Sequence, residues 1–318
     1  MMDNDQTNIK ASILPKTSEI EYFTASDGLK LRVGFFPAHG QAKATILLIG
    51  GHREFLEKYG EFIGEFQSRG FNVYSFDLRG QGLSGRLLAN RNKSHNPDFG
   101  RMVMDIDEII DAKINRQTLN HPFYLVAHSM GSQLALRYVH DHVDMFDKAV
   151  LLSPFTEIFG GSALLGALIR IYAKTACALG LSKFFAPGQV KTKALMDHDQ
   201  ALGQLSHDQK RYNRALKAME VNPDLFSGGV TYGWLCGVFK SIDIIGQVGY
   251  AKAIKTPLLC ILSQQETVVD NKTTIRILQK AAKIEMIQGA RHEIYFETDQ
   301  IRELLWAKID EFLGSSLG

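Results

Sequence analysis

The chain has 318 residues, 45% of them apolar, with 36 Lys plus Arg against 34 Asp plus Glu and a formal net charge of +2. That length suits one large globular domain with room for an insertion, and the composition excludes a disordered or collagen-like chain. So balanced a charge gives no field for holding nucleic acid, and three cysteines, Cys177, Cys236 and Cys260, odd in number and without C-x-x-C spacing, suggest neither a disulfide framework nor a zinc knuckle.

Residues 1–18 read as a flexible lead-in, with acids before the first lysine and no apolar segment of a secretory signal. Strand-forming runs at Glu21–Ala25 and Lys30–Phe36 flank Asp27-Gly28, a hairpin signal. Ala44–Gly50 is continuously apolar, Tyr59, Phe62, Ile63 and Phe66 recur at helical spacing, and Phe71–Phe76 is apolar again. This is a β-α-β unit of buried parallel strands. Met102, Val103, Ile106, Ile109, Ile110 and Ile114 mark a second amphipathic helix, followed by a strand at Phe123–Ala127, a helix at Met130–Val139 and a strand at Lys148–Ser153. Such alternation implies an α/β fold, a mostly parallel sheet with helices on both faces.

From Pro154 to Lys255 helical patterns take over. One has Ser206 and Gln209 as a capping box and stops near Asn222-Pro223, and another carries Trp234, Val238, Phe239 and Ile242. The apolar stretch Ile158–Ile169 is interrupted by Arg170 and Lys174, well short of the ~20 residues of a bilayer span. The rhythm then resumes with a strand at Thr256–Leu262, a helix at Asn271–Ala281, a strand at Lys283–Ile287 and a helix at Thr298–Leu313. The expected organisation is a core of residues 19–153 and 256–318 with a helical cap, residues 154–255, inserted between its halves.

Ala127-His128-Ser129-Met130-Gly131 lies at a strand-to-helix junction and is one letter from G-x-S-x-G, the sharp turn that exposes a nucleophilic serine. Its small first and last residues suit a bend where strand and helix approach closely. The alternative is that Ser129 only caps the helix. A serine nucleophile needs a base, and the base an orienting carboxylate. His292, after the strand ending at Ile287, is the candidate base, although a surface loop is the commoner place for a histidine. Glu266 is the preferred acid because it lies in the loop just past a strand. Asp270 is the alternative acid, with a ready structural use near the next helix N-terminus, and Glu157 is a third candidate. His128 is expected to pack away from the reaction centre, since neighbouring strand residues face opposite sides. Backbone N–H groups of Met130 and of His52, in the glycine-bearing loop Ile49–Glu54, are the candidate oxyanion donors. Gly80-Gln81-Gly82-Leu83-Ser84-Gly85, with Asp105 downstream, matches the dinucleotide fingerprint, but Asn90–Pro97 follows with a loop composition where that fingerprint needs a helix.

Taken together, GGHREFLEKY (Gly50–Tyr59), FDLRGQGLSGR (Phe76–Arg86), AHSMGS (Ala127–Ser132), QETVVDN (Gln265–Asn271) and GARHEIYFE (Gly289–Glu297) resemble the α/β-hydrolases of the monoacylglycerol lipase and bacterial lysophospholipase group. The resemblance runs from about Glu19 to the end of the chain, and SHDQKRYNR (Ser206–Arg214) and GGVTYGW (Gly228–Trp234) are closer to the bacterial lysophospholipases. It implies an α/β-hydrolase fold with Ser129 as nucleophile, His292 as base, and Glu266 as acid where monoacylglycerol lipases have Asp. It places His52 and Met130 at the oxyanion positions, and Asp77, Arg79 and Gly80 in a structural block that displaces the dinucleotide reading. The cap becomes a lid, and Leu164, Leu165, Leu168 and Ile169 become candidates for lining an acyl-chain tunnel. The implied activity is hydrolysis of a single-chain lipid ester, a lysophospholipid or a monoacylglycerol, through an acyl-enzyme, with no metal or other cofactor and no nucleic-acid partner. The implied setting is the cytoplasm, with contact to the inner membrane surface left open. Acyl transfer or general carboxylesterase chemistry by the same residues, and a non-catalytic binding protein on this fold, are the alternatives.

Overall fold

The computed structural model describes residues 14–119, 121–158, 163–189 and 204–314, so most of the expected lead-in lies outside the described residues. Eight strands form one sheet: β1 (Glu19–Thr24), β2 (Lys30–Phe36), β3 (Ala44–Ile49), β4 (Phe71–Phe76), β5 (Phe123–His128), β6 (Lys148–Leu152), β7 (Leu258–Ser263) and β8 (Ala282–Ile287). Their order is β1-β2-β4-β3-β5-β6-β7-β8. β2 runs antiparallel to both β1 and β4, while the pairings from β4 through β8 are parallel. The β1–β2 hairpin turns at Gly28, whose φ of 83° is costly for a residue with a side chain.

Strands β3, β5 and β7 are buried at every position, which is why they read as continuous apolar runs. Their side chains still alternate. Leu47, Ile49, Leu125 and Ala127 join the core formed with α2 (Phe99–Ile109), α3 (Met130–Asp141) and α6 (Tyr232–Ile245). Ile46, Leu48, Tyr124 and Val126 join the opposite core with α1 (Gly60–Ser68) and α9 (Asp299–Leu313).

Between β6 and β7 the described residues add α4 (Ala163–Ala178), α5 (Gln209–Val221), α6 and the short α7 (Tyr250–Ala253), and no strand of the sheet. α8 (Asn271–Leu278) follows β7. The predicted capping box of α5 is not what forms. Asp208 is the cap, its carboxylate accepting from Arg211 N–H at 2.9 Å, while Ser206 Oγ donates to Phe296 C=O and ties the helix entry to the core instead. The Asn90–Pro97 loop seats the α6 end of this segment: Ser94 N–H donates to Gly229 C=O, Thr231 N–H donates to Ser94 C=O, and Thr231 Oγ1 meets His95 Nδ1 at 2.8 Å.

The chain leaves β3 to form β4 on one side and returns to form β5 on the other. In a parallel sheet this reversal opens a crevice beyond the carboxyl ends of the two strands. The loop after β3 and the turn at Ser129 meet there. Ser129 has φ 50° and ψ −115°, a conformation that costs an L-residue roughly 1–3 kcal/mol and persists only where its surroundings enforce it. Here Ser129 N–H donates to Leu152 C=O at 2.9 Å and Ser129 C=O accepts from Phe155 N–H at 3.1 Å.

The two small residues of the motif differ in how much they matter. A Cβ at Gly131 would lie 2.5 Å from the carbonyl oxygens of both Ile49 and Gly50, backbone that cannot move without shifting β3. The Ala127 methyl is fully buried in the α3 core, and Ala127 C=O accepts from Ser132 Oγ at 2.8 Å. Gly131→Ala should therefore destabilise by about 2–3 kcal/mol in denaturant titration, against about 1 kcal/mol for Ala127→Gly. Equal costs would contradict this packing.

Candidate active site

Ser129, at the tip of the β5–α3 turn, points its Oγ to within 2.9 Å of His292 Nε2. His292 Nδ1 lies 2.8 Å from Glu266 Oε2. The histidine sits in the loop between β8 and α9 and the glutamate between β7 and α8, so three separate loops converge. All three side chains are removed from bulk water. Burial acts to raise the Glu266 pKa, but the His292 hydrogen bond and charge, with the N–H groups of Val268 and Val269 on Oε1 at 2.7 and 3.2 Å, bring it below the ordinary carboxylate value. A carboxylate facing Nδ1 assigns the Nδ1–H tautomer and leaves Nε2 as the acceptor for the serine proton.

Asp270 is not at this site. It caps α8, accepting from Lys272 N–H at 3.0 Å and Thr273 Oγ1–H at 2.7 Å. Glu157 forms an ion pair with Arg170 at 3.0 Å.

The backbone N–H of Met130 opens α3 and has no partner within the helix, as for any first-turn amide. His52 stands across the crevice in the loop after β3. Its ring packs against Trp234 with centroids 4.6 Å apart, and burial together with the neighbouring Arg53 charge holds the imidazole well below its usual pKa, hence neutral.

His128 departs from expectation. Strand alternation does send it to the Val126 face, but that face is closed by the loop following β8, so the ring supports the reaction centre from beneath. Its Nε2 lies 3.2 Å from His292 C=O and its Nδ1 3.1 Å from Glu54. With acceptors at both nitrogens the ring donates from both. Burial opposes its charge, but the Glu54 carboxylate outweighs burial and raises the His128 pKa. Glu54 itself accepts from Gly51 N–H, Tyr59 O–H and, at 3.0 Å, Tyr295 O–H. Burial alone would push its carboxyl up, yet His128, Lys58 and these hydrogen bonds hold it well below the usual range. Lys58 completes the cluster, pairing with Glu293 at 2.5 Å. One buried carboxylate thus ties the loop carrying His52 to the loop carrying His292. Nothing in the spacing of Glu54 and His128, 74 residues apart, signals that contact.

A cavity of about 270 Å³ opens onto Ser129 and His292. Tyr212, Ala215, Leu216 and Met219 of α5, with Phe226, line its apolar side, and Arg53 and Lys58 bring cations to it. The candidates for an acyl channel on α4 lie elsewhere among the described residues. Leu164 and Leu168 are 72% and 54% exposed, Ile169 packs against the α3 core, and the Leu165 side chain lies outside the described residues. The physical reason is that α4 turns its small residues inward: Ala173 and Ala176 are buried. The dinucleotide-like loop is closed on itself, since Leu83 N–H donates to the Asp77 carboxylate at 2.8 Å and Asp105 is paired with Arg79. A Cβ at Gly82 would collide with the same Asp77 carboxylate.

Comparison with known proteins agrees with this architecture. The chain is 27% identical over 309 residues to a Haemophilus influenzae protein named probable lysophospholipase L2, covering 96% of this chain and 95% of that one. It is 28% identical over 311 residues to lysophospholipase L2 of Escherichia coli K12, covering 92% and 86%. A soluble variant of monoglyceride lipase from Saccharomyces cerevisiae, solved with a substrate analogue, superposes with a TM-score of 0.73 at 17% identity, over 93% of this chain and 96% of that one. Residues 40–299 match the family model described as serine aminopeptidase, S33. With that match spanning most of a sheet in the α/β-hydrolase order, the chain belongs to the S33 serine aminopeptidase family of α/β-hydrolases.

Proposed function

We propose that Ser129, His292 and Glu266 are the catalytic triad of this serine ester hydrolase, and that its substrate is a single-chain lipid ester, foremost a lysophospholipid. The observation that carries the reading is the unbroken chain of hydrogen bonds from Ser129 Oγ through His292 to Glu266, opening onto a cavity with one apolar side. Ser129 Oγ attacks the ester carbonyl while His292 Nε2 takes its proton, and Glu266 stabilises the imidazolium that forms. The oxyanion is received by Met130 and His52 N–H, donors of a type worth about 10²–10³ in rate. His292 returns the proton to the leaving alcohol, and water then releases the acyl group by the same steps. The α5 side of the cavity suits the acyl chain, with residues 154–255 acting as the lid.

Two observations support a charged lipid at a membrane surface. Arg53 lines the cavity with its Nε 3.0 Å from Gly228 C=O, and it has no carboxylate partner among the described residues, unlike Arg32, Arg79 and Arg211. Burial lowers its pKa with nothing acidic opposing, a setting that a lysophospholipid phosphodiester relieves and a neutral monoacylglycerol does not. The names of the bacterial relatives point to the same substrates. On the outer side of α4, Leu164, Leu168, Ile171 and Tyr172 are at least half exposed, and Leu179 and Phe184 extend the patch with Lys174 and Lys183 beside it. No helix among the described residues is long and apolar enough to cross a membrane, so this face supports contact with the lipid surface from outside.

A fluorophosphonate should label wild type at Ser129 and leave Ser129→Ala unlabelled; an unlabelled wild type would remove the hydrolase reading. Glu266→Gln should lower kcat by about 10³–10⁴-fold, whereas Asp270→Asn should act only through a lost helix cap of about 1 kcal/mol. The reverse order would move the acid to Asp270. For Arg53→Gln, kcat/KM should drop about 10–100-fold on a lysophospholipid and stay level on a monoacylglycerol of the same acyl chain; equal losses would assign Arg53 to holding Gly228 only. In sedimentation with anionic phospholipid vesicles, Leu168→Asp with Ile171→Asp should weaken binding by more than about tenfold, since each apolar side chain contributes roughly 1.5–3 kcal/mol on burial. Undiminished binding would rule out this face.

A further inference from the structure

We propose that Cys177 and Cys236 are a disulfide-forming pair that cross-links α4 to α6 when the protein is oxidised. The two sulfurs stand 2.8 Å apart although the residues are 59 positions apart in the chain. A disulfide bond of about 2.05 Å needs a closure of only about 0.8 Å. The helices are held in this register by contacts on either side. Arg170 pairs with Asp243, and the Tyr172 and Tyr232 hydroxyls meet at 3.0 Å. Cys236 Sγ also lies 3.3 Å from Ala173 C=O, which keeps its side chain turned toward α4.

Other uses of the pair fit less well. No group of three His, Cys, Asp or Glu among the described residues could hold a metal with them. Burial, together with the hydrogen bond to Cys177, pushes the Cys236 thiol up to about 12, so it is a poor lone nucleophile. Both cysteines are half-buried, leaving a path for a small oxidant, whereas Cys260 is fully buried on β7.

The step balances with a low-molecular-weight disulfide as the oxidant. The Cys177 thiolate attacks it, forming a mixed disulfide and releasing one small thiol. Cys236 then attacks the Cys177 sulfur, forming the protein disulfide and releasing the second small thiol. Two electrons pass to the oxidant, and the two cysteine protons end on the released thiols.

The bond would brace the helix that carries the exposed apolar face against the helix that carries Trp234, the ring packed on His52. The proposal is independent of the catalytic reading, because it concerns residues outside the triad and its test reads thiols and melting.

The test treats the full chain with oxidised glutathione, then unfolds and alkylates it for mass analysis. The expected result is a loss of 2 Da with Cys177 joined to Cys236 in one cross-linked peptide, and Cys260 alone alkylated. Cys177→Ser should form no such bond. Closing a loop of this length should raise the melting temperature by about 5 °C, reversed by dithiothreitol. Three alkylated cysteines, or glutathione adducts without the cross-link, would overturn the proposal; a cross-link that leaves melting unchanged would overturn its bracing role.

Discussion

The turn at Ser129 is the constraint on which the site depends. A non-glycine residue is held at positive φ between a buried parallel strand and a helix, and the helix approaches β3 so closely that position 131 has no room for a side chain. That proximity brings the start of α3 against the end of β3, where the loop carrying His52 begins. The strain is sustained by Ser129's backbone bonds to the β6 end, so the sheet register and the serine's geometry are one property.

Beneath the crevice the same logic is expressed in charge. Isolated, any one of Glu54, His128, Lys58 and Glu293 would be expensive to bury. Together, with Tyr59 and Tyr295 donating to Glu54, they form a paired network in which Glu293 Oε2 is left buried without a hydrogen bond. Removing one partner would leave the others buried and unpaired, which is why such clusters hold loops firmly even when their net stabilisation is small. The loops held here carry the candidate oxyanion donor and the candidate base.

Much of the fold was legible because buried parallel strands have to be apolar on both faces and the helices between them on one. The positions of Ser129, Glu266 and His292 in separate loops at the carboxyl edge of the sheet were legible for the same reason. Features that depend on long-range packing were not. His128 followed strand alternation correctly, but alternation says nothing about which loop closes a face. The resemblance made Leu164, Leu165, Leu168 and Ile169 candidates for an acyl-chain tunnel, but a residue's type does not say which way its helix turns; in the structure Ala173 and Ala176 face inward and Leu164 and Leu168 outward. The cavity's apolar side falls to α5, whose Tyr212, Ala215, Leu216 and Met219 share one helical face that ordinary packing would also require. Cys177 and Cys236 gave no spacing signal, since their meeting depends on how α4 lies on α6. At α5 the capping box read from Ser206 and Gln209 does not form, because Ser206 bonds the core and Asp208, two residues on, caps the helix.

In the proposed reaction, acyl transfer passes through Ser129 with Glu266 orienting the base. Rapid acid quench of the protein turning over a lysophospholipid, followed by peptide mass analysis, tests it most directly. An acyl adduct of the substrate's chain is expected on the peptide bearing Ser129, absent from Ser129→Ala. An adduct on another residue, or turnover by Ser129→Ala at the wild-type rate, would contradict it.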